Sequence, residues 1–278
     1  MRLKKDGTDY GLRFMAEVLK AEHLHWGYFP HKKFSSEKMT LAELKEAQLA
    51  YTNHLFSFIP AEVKTILDVG SGLGKTASLL TEKGYQVHCL SDDKYQQTVI
   101  NSRYPHIPFT KNKFECCTLD EKFDLVLMSE SVQYLNWDQA LHKLEELLKP
   151  KGYLLLSDYF RKTDVPYYKA CKILEPFMSA TEKNFTLLKE DDITEHVLPT
   201  LDFSSYCYDE YILPAANIFA DMVQNKVPVF IQNAIKLFFG KQIKKVHHYI
   251  WERMPDKFNR HKFKKEMVYI IQLWQKKS

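Results

Sequence analysis

The chain of 278 residues balances 39 Lys+Arg against 35 Asp+Glu, a formal charge of +4, with 45% apolar residues. That composition excludes collagen and intrinsic disorder, and no run approaches the ~18 uninterrupted apolar residues of a membrane-spanning helix. The N-terminal MRLKKDGTDYGLRF has no apolar segment behind its charges, so the expected address is the cytoplasm.

The first clear element is a capping box, Thr40-Leu41-Ala42-Glu43, opening a helix whose Leu41, Leu44, Leu49, Leu55 and Phe58 form a stripe as far as Pro60. From Thr65 short apolar runs alternate with helical stretches. TILDV is followed by a helix to Lys83 that Gly84 stops, then by QVHCL and a helix from about Asp92. IPFTKN and FDLVLM come next, then a helix from Trp137 to Leu148, the turn Pro150-Lys151-Gly152 and YLLLS. FTLLK, Phe185 to Lys189, makes a sixth strand, and MVYIIQLW, Met267 to Trp274, a distant seventh. Such alternation predicts a doubly wound, mostly parallel α/β sheet. The expected division is N-terminal helices over 1–60, a core over 61–189, a helical insertion over 190–266 and a final strand over 267–278.

Five cysteines, Cys89, Cys116, Cys117, Cys171 and Cys207, form no C-x-x-C pair and no zinc-finger spacing with histidine, so reduced thiols and no metal site are expected. The charge is divided unevenly. From Asp221 to Ser278 there are 13 Lys/Arg against 4 Asp/Glu, a basic lobe on a chain that is otherwise slightly acidic.

Only nine glycines are present, and three fall in Ile66-Leu67-Asp68-Val69-Gly70-Ser71-Gly72-Leu73-Gly74. An apolar strand, a carboxylate and a G-x-G-x-G turn before a helix let the backbone turn tightly and approach a ligand that the helix N-terminus can face. A dinucleotide fingerprint needs its third glycine where Lys75 stands. A phosphate-binding loop ending in Gly74-Lys75-Thr76 needs a glycine where Val69 stands.

The turn resembles the first motif of class I S-adenosylmethionine-dependent methyltransferases, an acidic residue followed by x-G-x-G-x-G, matched by Asp68, Gly70, Gly72 and Gly74. Phe123 to Glu130 is similar to that family's fourth strand and Leu147 to Leu154 to its turn into the fifth, with Lys151 in place of a glycine. The resemblance implies a seven-stranded Rossmann-like sheet, S-adenosylmethionine as cofactor, and N-terminal helices that cover its site. It implies that Asp68 holds the methionine amino group while Gly70, Ser71, Gly72 and Gly74 pack on the methionine and ribose. The ribose carboxylate expected after strand two is replaced by Ser91 in a gapless count, with Asp92 and Asp93 next, so either the register slips by one or Ser91 supports the ribose. After strand three, Phe114 is expected to cover the adenine and Glu115 to accept from its amino group.

Methyl transfer needs an aligned nucleophile, excluded water and, for a protonated acceptor, a base. Ligands of open α/β sheets sit beyond the carboxyl ends of the strands, which draws attention to Ser129, Glu130, Gln133 and Tyr134 after strand four and to Asp158 and Tyr159 after strand five. Glu130 is the expected carboxylate base, with Tyr134 beside it. Upstream, His25-Trp26-Gly27-Tyr28 resembles the H-x-G-Y segment of small-molecule methyltransferases of the quinone, tocopherol and cyclopropane-fatty-acid groups. That likeness makes His25 a second candidate base and Tyr28 an aromatic contact to the sulfonium.

The insertion between strands six and seven carries Tyr206, Tyr208, Tyr211, Phe219, Phe230, Ile231, Leu237 and Phe238, expected to form a lid and an apolar acceptor pocket. The reading is therefore a methyltransferase of a small hydrophobic or aromatic metabolite, with an oxygen acceptor favoured. The alternatives are a cofactor-binding subunit without turnover, or an RNA- or lipid-directed enzyme using the basic lobe. DNA is not an expected partner. RNA is disfavoured because Ser129-Glu130-Ser131-Val132 stands where base-methylating enzymes carry [ND]PPY, whereas VPVFIQNAIKLFFGKQIKKV joins apolar bulk to lysines in a manner suited to a membrane surface.

Overall fold

The computed structural model describes residues 9–30 and 39–277; the rest of the expected N-terminal helical segment, 1–8 and 31–38, lies outside the described residues. Asp9 caps the first helix, α1 (Tyr10–Glu17), through the amides of Gly11 and Leu12. Thr40 and Glu43 close the reciprocal capping box that opens α2 (Leu41–Phe56). The strands and helices then alternate as β1 (Thr65–Val69), α3 (Lys75–Glu82), β2 (Gln86–Ser91), α4 (Lys94–Arg103), β3 (Phe109–Lys111), β4 (Phe123–Ser129), α5 (Trp137–Leu147) and β5 (Leu148–Arg161). After α6 (Leu174–Thr181) and β6 (Phe185–Asp192) come α7 (Thr194–Cys207), α8 (Leu213–Lys226), α9 (Val229–His247), α10 (Met254–Lys257), α11 (Arg260–Glu266) and β7 (Met267–Lys276).

The seven strands form one sheet in the order β3-β2-β1-β4-β5-β7-β6. All neighbours are parallel up to β5, while β7 runs antiparallel to both β5 and β6. Strands β1 and β4 read as continuous apolar runs because helices cover both faces, and Ile66, Leu67, Leu125, Val126 and Leu127 are completely buried. Each such side chain contributes about 1.5–3 kcal/mol of burial.

The doubly wound sheet with a helical insertion between strands six and seven matches the reading of the sequence. Two boundaries differ. β5 begins at Leu148 rather than Tyr153 and extends to Arg161, where β7 continues to pair with it. β6 continues through Lys189, Glu190, Asp191 and Asp192, so the helices begin at Thr194 and not at 190. Glu190, Asp191 and Asp192 lie on an edge strand, where solvated side chains protect open backbone groups, and their polarity assigns them to the insertion instead of the strand. Lys151 adopts φ +57 at the turn where the related family carries glycine, a left-handed conformation costing about 1–2 kcal/mol in a residue with a Cβ.

At the amino end of the sheet one carboxylate clamps three elements. Asp124 accepts from the amides of Lys64 and Thr65, from the Thr65 hydroxyl and from Lys149 Nζ at 2.8 Å. Burial alone would raise this carboxyl, but the Lys149 ammonium and the three donors of Lys64 and Thr65 outweigh it and hold it at about 2. Replacing Asp124 by Ala leaves those donors without an acceptor. The expected loss is about 1–3 kcal/mol in urea denaturation, with ligand binding at the opposite end of the sheet unchanged.

Candidate functional site

At the carboxyl end of the sheet, β1 runs into a turn in which Gly70, Gly72 and Gly74 take φ +79, +56 and +82. A Cβ on Gly70 would lie 2.7 Å from Ser131 Cβ, and one on Gly74 would lie 2.8 Å from Ile100 on α4. The turn is therefore glycine-bound by conformation and by space together. Ser71 Oγ donates to the Asp68 carbonyl at 2.7 Å, fixing the strand end, and Gly74 caps α3.

Beside this turn lies an unbalanced carboxylate. Asp68 is 2% exposed and its Oδ2 has no partner. Burial, only partly offset by Ser71, raises its carboxyl to about 7. Ser131 Oγ, the neighbour of Gly70, is likewise buried without a partner. An acceptor and a hydroxyl left open on either side of a left-handed glycine turn suit a ligand that brings an ammonium and a carboxylate to the strand ends.

The residues after β2 divide their work. Asp93 caps α4 through the Gln96 amide at 2.8 Å, and its other oxygen accepts from the Asp9 amide at 2.7 Å. Both its oxygens are committed to structure, so it does not stand free for a ribose. Ser91 Oγ accepts from the Asp93 amide, and the half-buried Asp92 has its carboxyl raised by burial. After β3, Phe114 lies 2% exposed in the core beneath the strand ends. Glu115 accepts from the Asn136 amide ahead of α5 at 2.7 Å. The expected adenine contacts are thus a core side chain and a loop tie.

Beyond β4 the chain turns at Glu130 with φ +52, a strained conformation for a residue with a side chain. Glu130 Oε1 accepts from the Trp26 amide at 2.8 Å and from the Tyr269 hydroxyl at 2.6 Å. Burial raises this carboxyl to about 7 against the lowering effect of those two donors. The Tyr269 oxygen is also 3.1 Å from that of Tyr51, which donates to Ser157 Oγ at 2.6 Å and lies 3.2 Å from Ser129 Oγ. Asp158, 1% exposed, accepts from the amides of Val132 and Tyr159, and burial together with the charge of Glu130 raises it to about 8.

The aromatic segment ahead of α2 does reach this end of the sheet, but by different residues from those expected. His25 is 8% exposed, stacks on Tyr51 and points Nδ1 at the Trp26 carbonyl. Burial and neighbouring His23 lower it to about 3, so it is a neutral, weakly basic ring near pH 7, with Nδ1 at the Trp26 carbonyl and Nε2 at His23 and Thr52. Tyr28 stacks on His54 at 4.5 Å, on the flank where His54 meets Asp191. Trp26 is the residue at the site, with its ring 5.5 Å from Tyr159, 5.0 Å from Phe263 and 5.7 Å from Tyr269. Tyr134 is 70% exposed on the turn after β4.

Sequence reasoning passed over Tyr51 and Tyr269 because each reads as one more apolar position of a helix or strand. The expected apolar pocket in the insertion is corrected. Phe219, Phe230, Leu237 and Phe238 are 63–80% exposed and enclose nothing, because α8 and α9 stand away from the sheet. The α7 and α11 end closes on the site, where Leu198, Leu201 and Phe263 pack with Trp26 and Tyr159. Among the described residues no group of three His, Cys, Asp or Glu is placed to hold a metal.

Residues 67–156 match the family of methyltransferase domains. Two curated relatives are uncharacterized methyltransferases. That of Alkaliphilus oremlandii is 26% identical over 95 residues, covering 33% of this chain and 44% of the relative. That of Schizosaccharomyces pombe is 26% identical over 115 residues, covering 41% and 46%. The chain thus spans less than half the length of either.

The fold is shared with solved enzymes at low identity. Geranyl diphosphate C-methyltransferase from Streptomyces coelicolor, in complex with S-adenosyl-L-homocysteine, has a TM-score of 0.69 at 14% identity, covering 100% of this chain and 99% of that one. Coclaurine N-methyltransferase gives 0.67 at 15%, covering 97% and 82%. An O-methyltransferase from a polyketide synthase of Brevibacillus brevis gives 0.61 at 16%, covering 92% and 85%. Carbon, nitrogen and oxygen appear as acceptors in these three names, so the shared fold does not fix the atom.

A raised carboxyl makes Asp68 visible in solution. Its folded value of about 7 lies above the ordinary aspartate value of 3.8, so the native state keeps this proton longer than the unfolded chain. Asp68 therefore stabilises the fold less as pH rises through 7. In calorimetry without ligand, Asp68→Asn is expected to lose less Tm than the parent between about pH 5 and pH 8. Equal slopes would show that the carboxylate is not strained by burial.

Proposed function

We propose that this chain transfers a methyl group from S-adenosylmethionine to a small organic acceptor, and that the acceptor is an apolar or aromatic molecule with an ionisable hydroxyl. The observation that carries the reading is the unpartnered Asp68 carboxylate beside the left-handed glycine turn. A buried acid in that position is satisfied by the ammonium of a methionine moiety, while the glycines leave room for the backbone to approach it. S-adenosylmethionine, when bound, supplies a methyl group on a sulfonium, which needs no metal.

The chain's own residues do the remainder. Ser131 offers its free hydroxyl to the amino-acid portion, and Ser91 with Asp92 faces the ribose in place of a single carboxylate. Trp26, Tyr159 and Phe263 form an aromatic wall that excludes water and faces a cationic methyl donor. Glu130, with a carboxyl near 7, takes the acceptor's proton, while the Trp26 amide and the Tyr269 hydroxyl hold that carboxylate in place. Tyr134 borders the acceptor's way in, and His25 supports the wall from behind through Tyr51.

Titration calorimetry and turnover with methyl-labelled cofactor test this in two stages. S-adenosylmethionine is expected to bind, to lose binding in Gly72→Val, and to tighten severalfold between about pH 6 and pH 8 as Asp68 ionises. A mass-shift screen of a metabolite extract then identifies the acceptor. Glu130→Gln keeps both hydrogen bonds and is expected to lower kcat about 100-fold or more with little change in cofactor affinity. Equal binding by the Gly72 variant overturns the cofactor reading. Binding with no turnover on any acceptor leaves a cofactor-binding subunit instead, and full activity in Glu130→Gln removes the base.

A further inference from the structure

We infer that the hairpin of α8 and α9 is a docking surface for an anionic lipid bilayer. None of the residues of α8 is buried, and along the hairpin Phe219, Val229, Phe230, Leu237, Phe238 and Phe239 are 56–80% exposed. So many large apolar side chains exposed along one hairpin are rare on a monomer surface without a partner. With no residue of α8 buried, the hairpin commits none of these side chains to the core.

Its shape is held in advance. The Gln232 side chain donates to the Val227 carbonyl at 2.8 Å and the Gln224 carbonyl at 3.0 Å, fixing the joint between the helices around Pro228. At the base, Trp251 Nε1 donates to Asn217 at 3.1 Å and the Tyr208 hydroxyl to the Ile250 carbonyl at 2.9 Å. The joint itself presents Val229 and Phe230, 70% and 73% exposed, next to Lys226.

Charge decides the occupant. From Leu213 to His247 five lysines accompany a single acid, Asp221. A second copy of this chain would bring the same positive hairpin against it and be repelled. Apolar bulk with flanking ammonium groups suits the boundary of acyl chains and phosphate headgroups, where aliphatic lysine stems lie along the apolar surface and their heads reach the anions. Among the described residues no helix is long and apolar enough to cross a membrane, so the contact is peripheral. It is independent of any transfer chemistry.

Sedimentation of the full chain with vesicles tests the inference, using phosphatidylcholine alone and an equimolar mixture with phosphatidylglycerol. The protein is expected to pellet with the anionic vesicles, remain in solution with the neutral ones, and be released as salt rises. Phe230→Glu together with Phe238→Glu should reduce the bound fraction about tenfold or more, and Lys244→Glu together with Lys245→Glu should abolish the preference for the anionic vesicles. All four side chains are exposed, so melting curves of both variants should match the parent. Absence of pelleting with either vesicle, or equal pelleting by the phenylalanine variant, overturns the inference. Dimers that dissociate in that variant, with no vesicle binding, would assign the surface to a second copy. Retention on an acidic carrier protein, again with no vesicle binding, would assign it to that partner.

Discussion

The Tyr269 hydroxyl is the point on which the carboxyl end of the sheet converges. It donates to Glu130, which also receives the Trp26 amide, and it lies beside the Tyr51 hydroxyl that reaches Ser157 and Ser129. One phenol on β7 thus joins α2, β4, β5 and the segment ahead of α2. Tyr51 and Tyr269 are both fully buried, so their oxygens have only one another, the two serines and Glu130 with which to satisfy their polarity. That dependence holds Glu130 in a left-handed conformation it would not otherwise keep.

The sheet was legible in the sequence because its signals are local. TILDV corresponds to β1 residue for residue, and the helix from Trp137 ends one residue before the expected Leu148. The seventh strand was visible from its own β-branched and aromatic content despite its distance from the sixth. The glycine turn was legible for the same reason, since left-handed backbone requires glycine whatever surrounds it.

The site was less legible because it depends on side-chain partners. The sequence shows His25 and Tyr28 as chemically able residues, but not that His25 is surrounded by His23, Thr52 and Tyr51 or that Tyr28 faces His54. It shows Asp92 and Asp93 as equals, whereas the cap of α4 takes one of them. The insertion misled in the opposite direction. Aromatic residues at helical spacing read as the walls of a pocket, and only three-dimensional placement reveals that Phe219, Phe230 and Phe238 face outward while Tyr208 is buried.

The position of β7 has a consequence for how the chain acquires its fold. β5 and β6 flank β7 on either side, yet β7 follows both, after the whole insertion from Thr194 to Glu266. As the chain leaves the ribosome, β5 has an open edge and β6 has no ladder at all until the insertion has been made. During that interval Glu130 lacks the Tyr269 phenol that anchors it. The glycine turn and its strands can assemble early, but the carboxyl end acquires its geometry in a late step of long sequence separation. The charges of β6 then gain a second purpose, keeping a waiting strand from pairing with a neighbouring nascent chain.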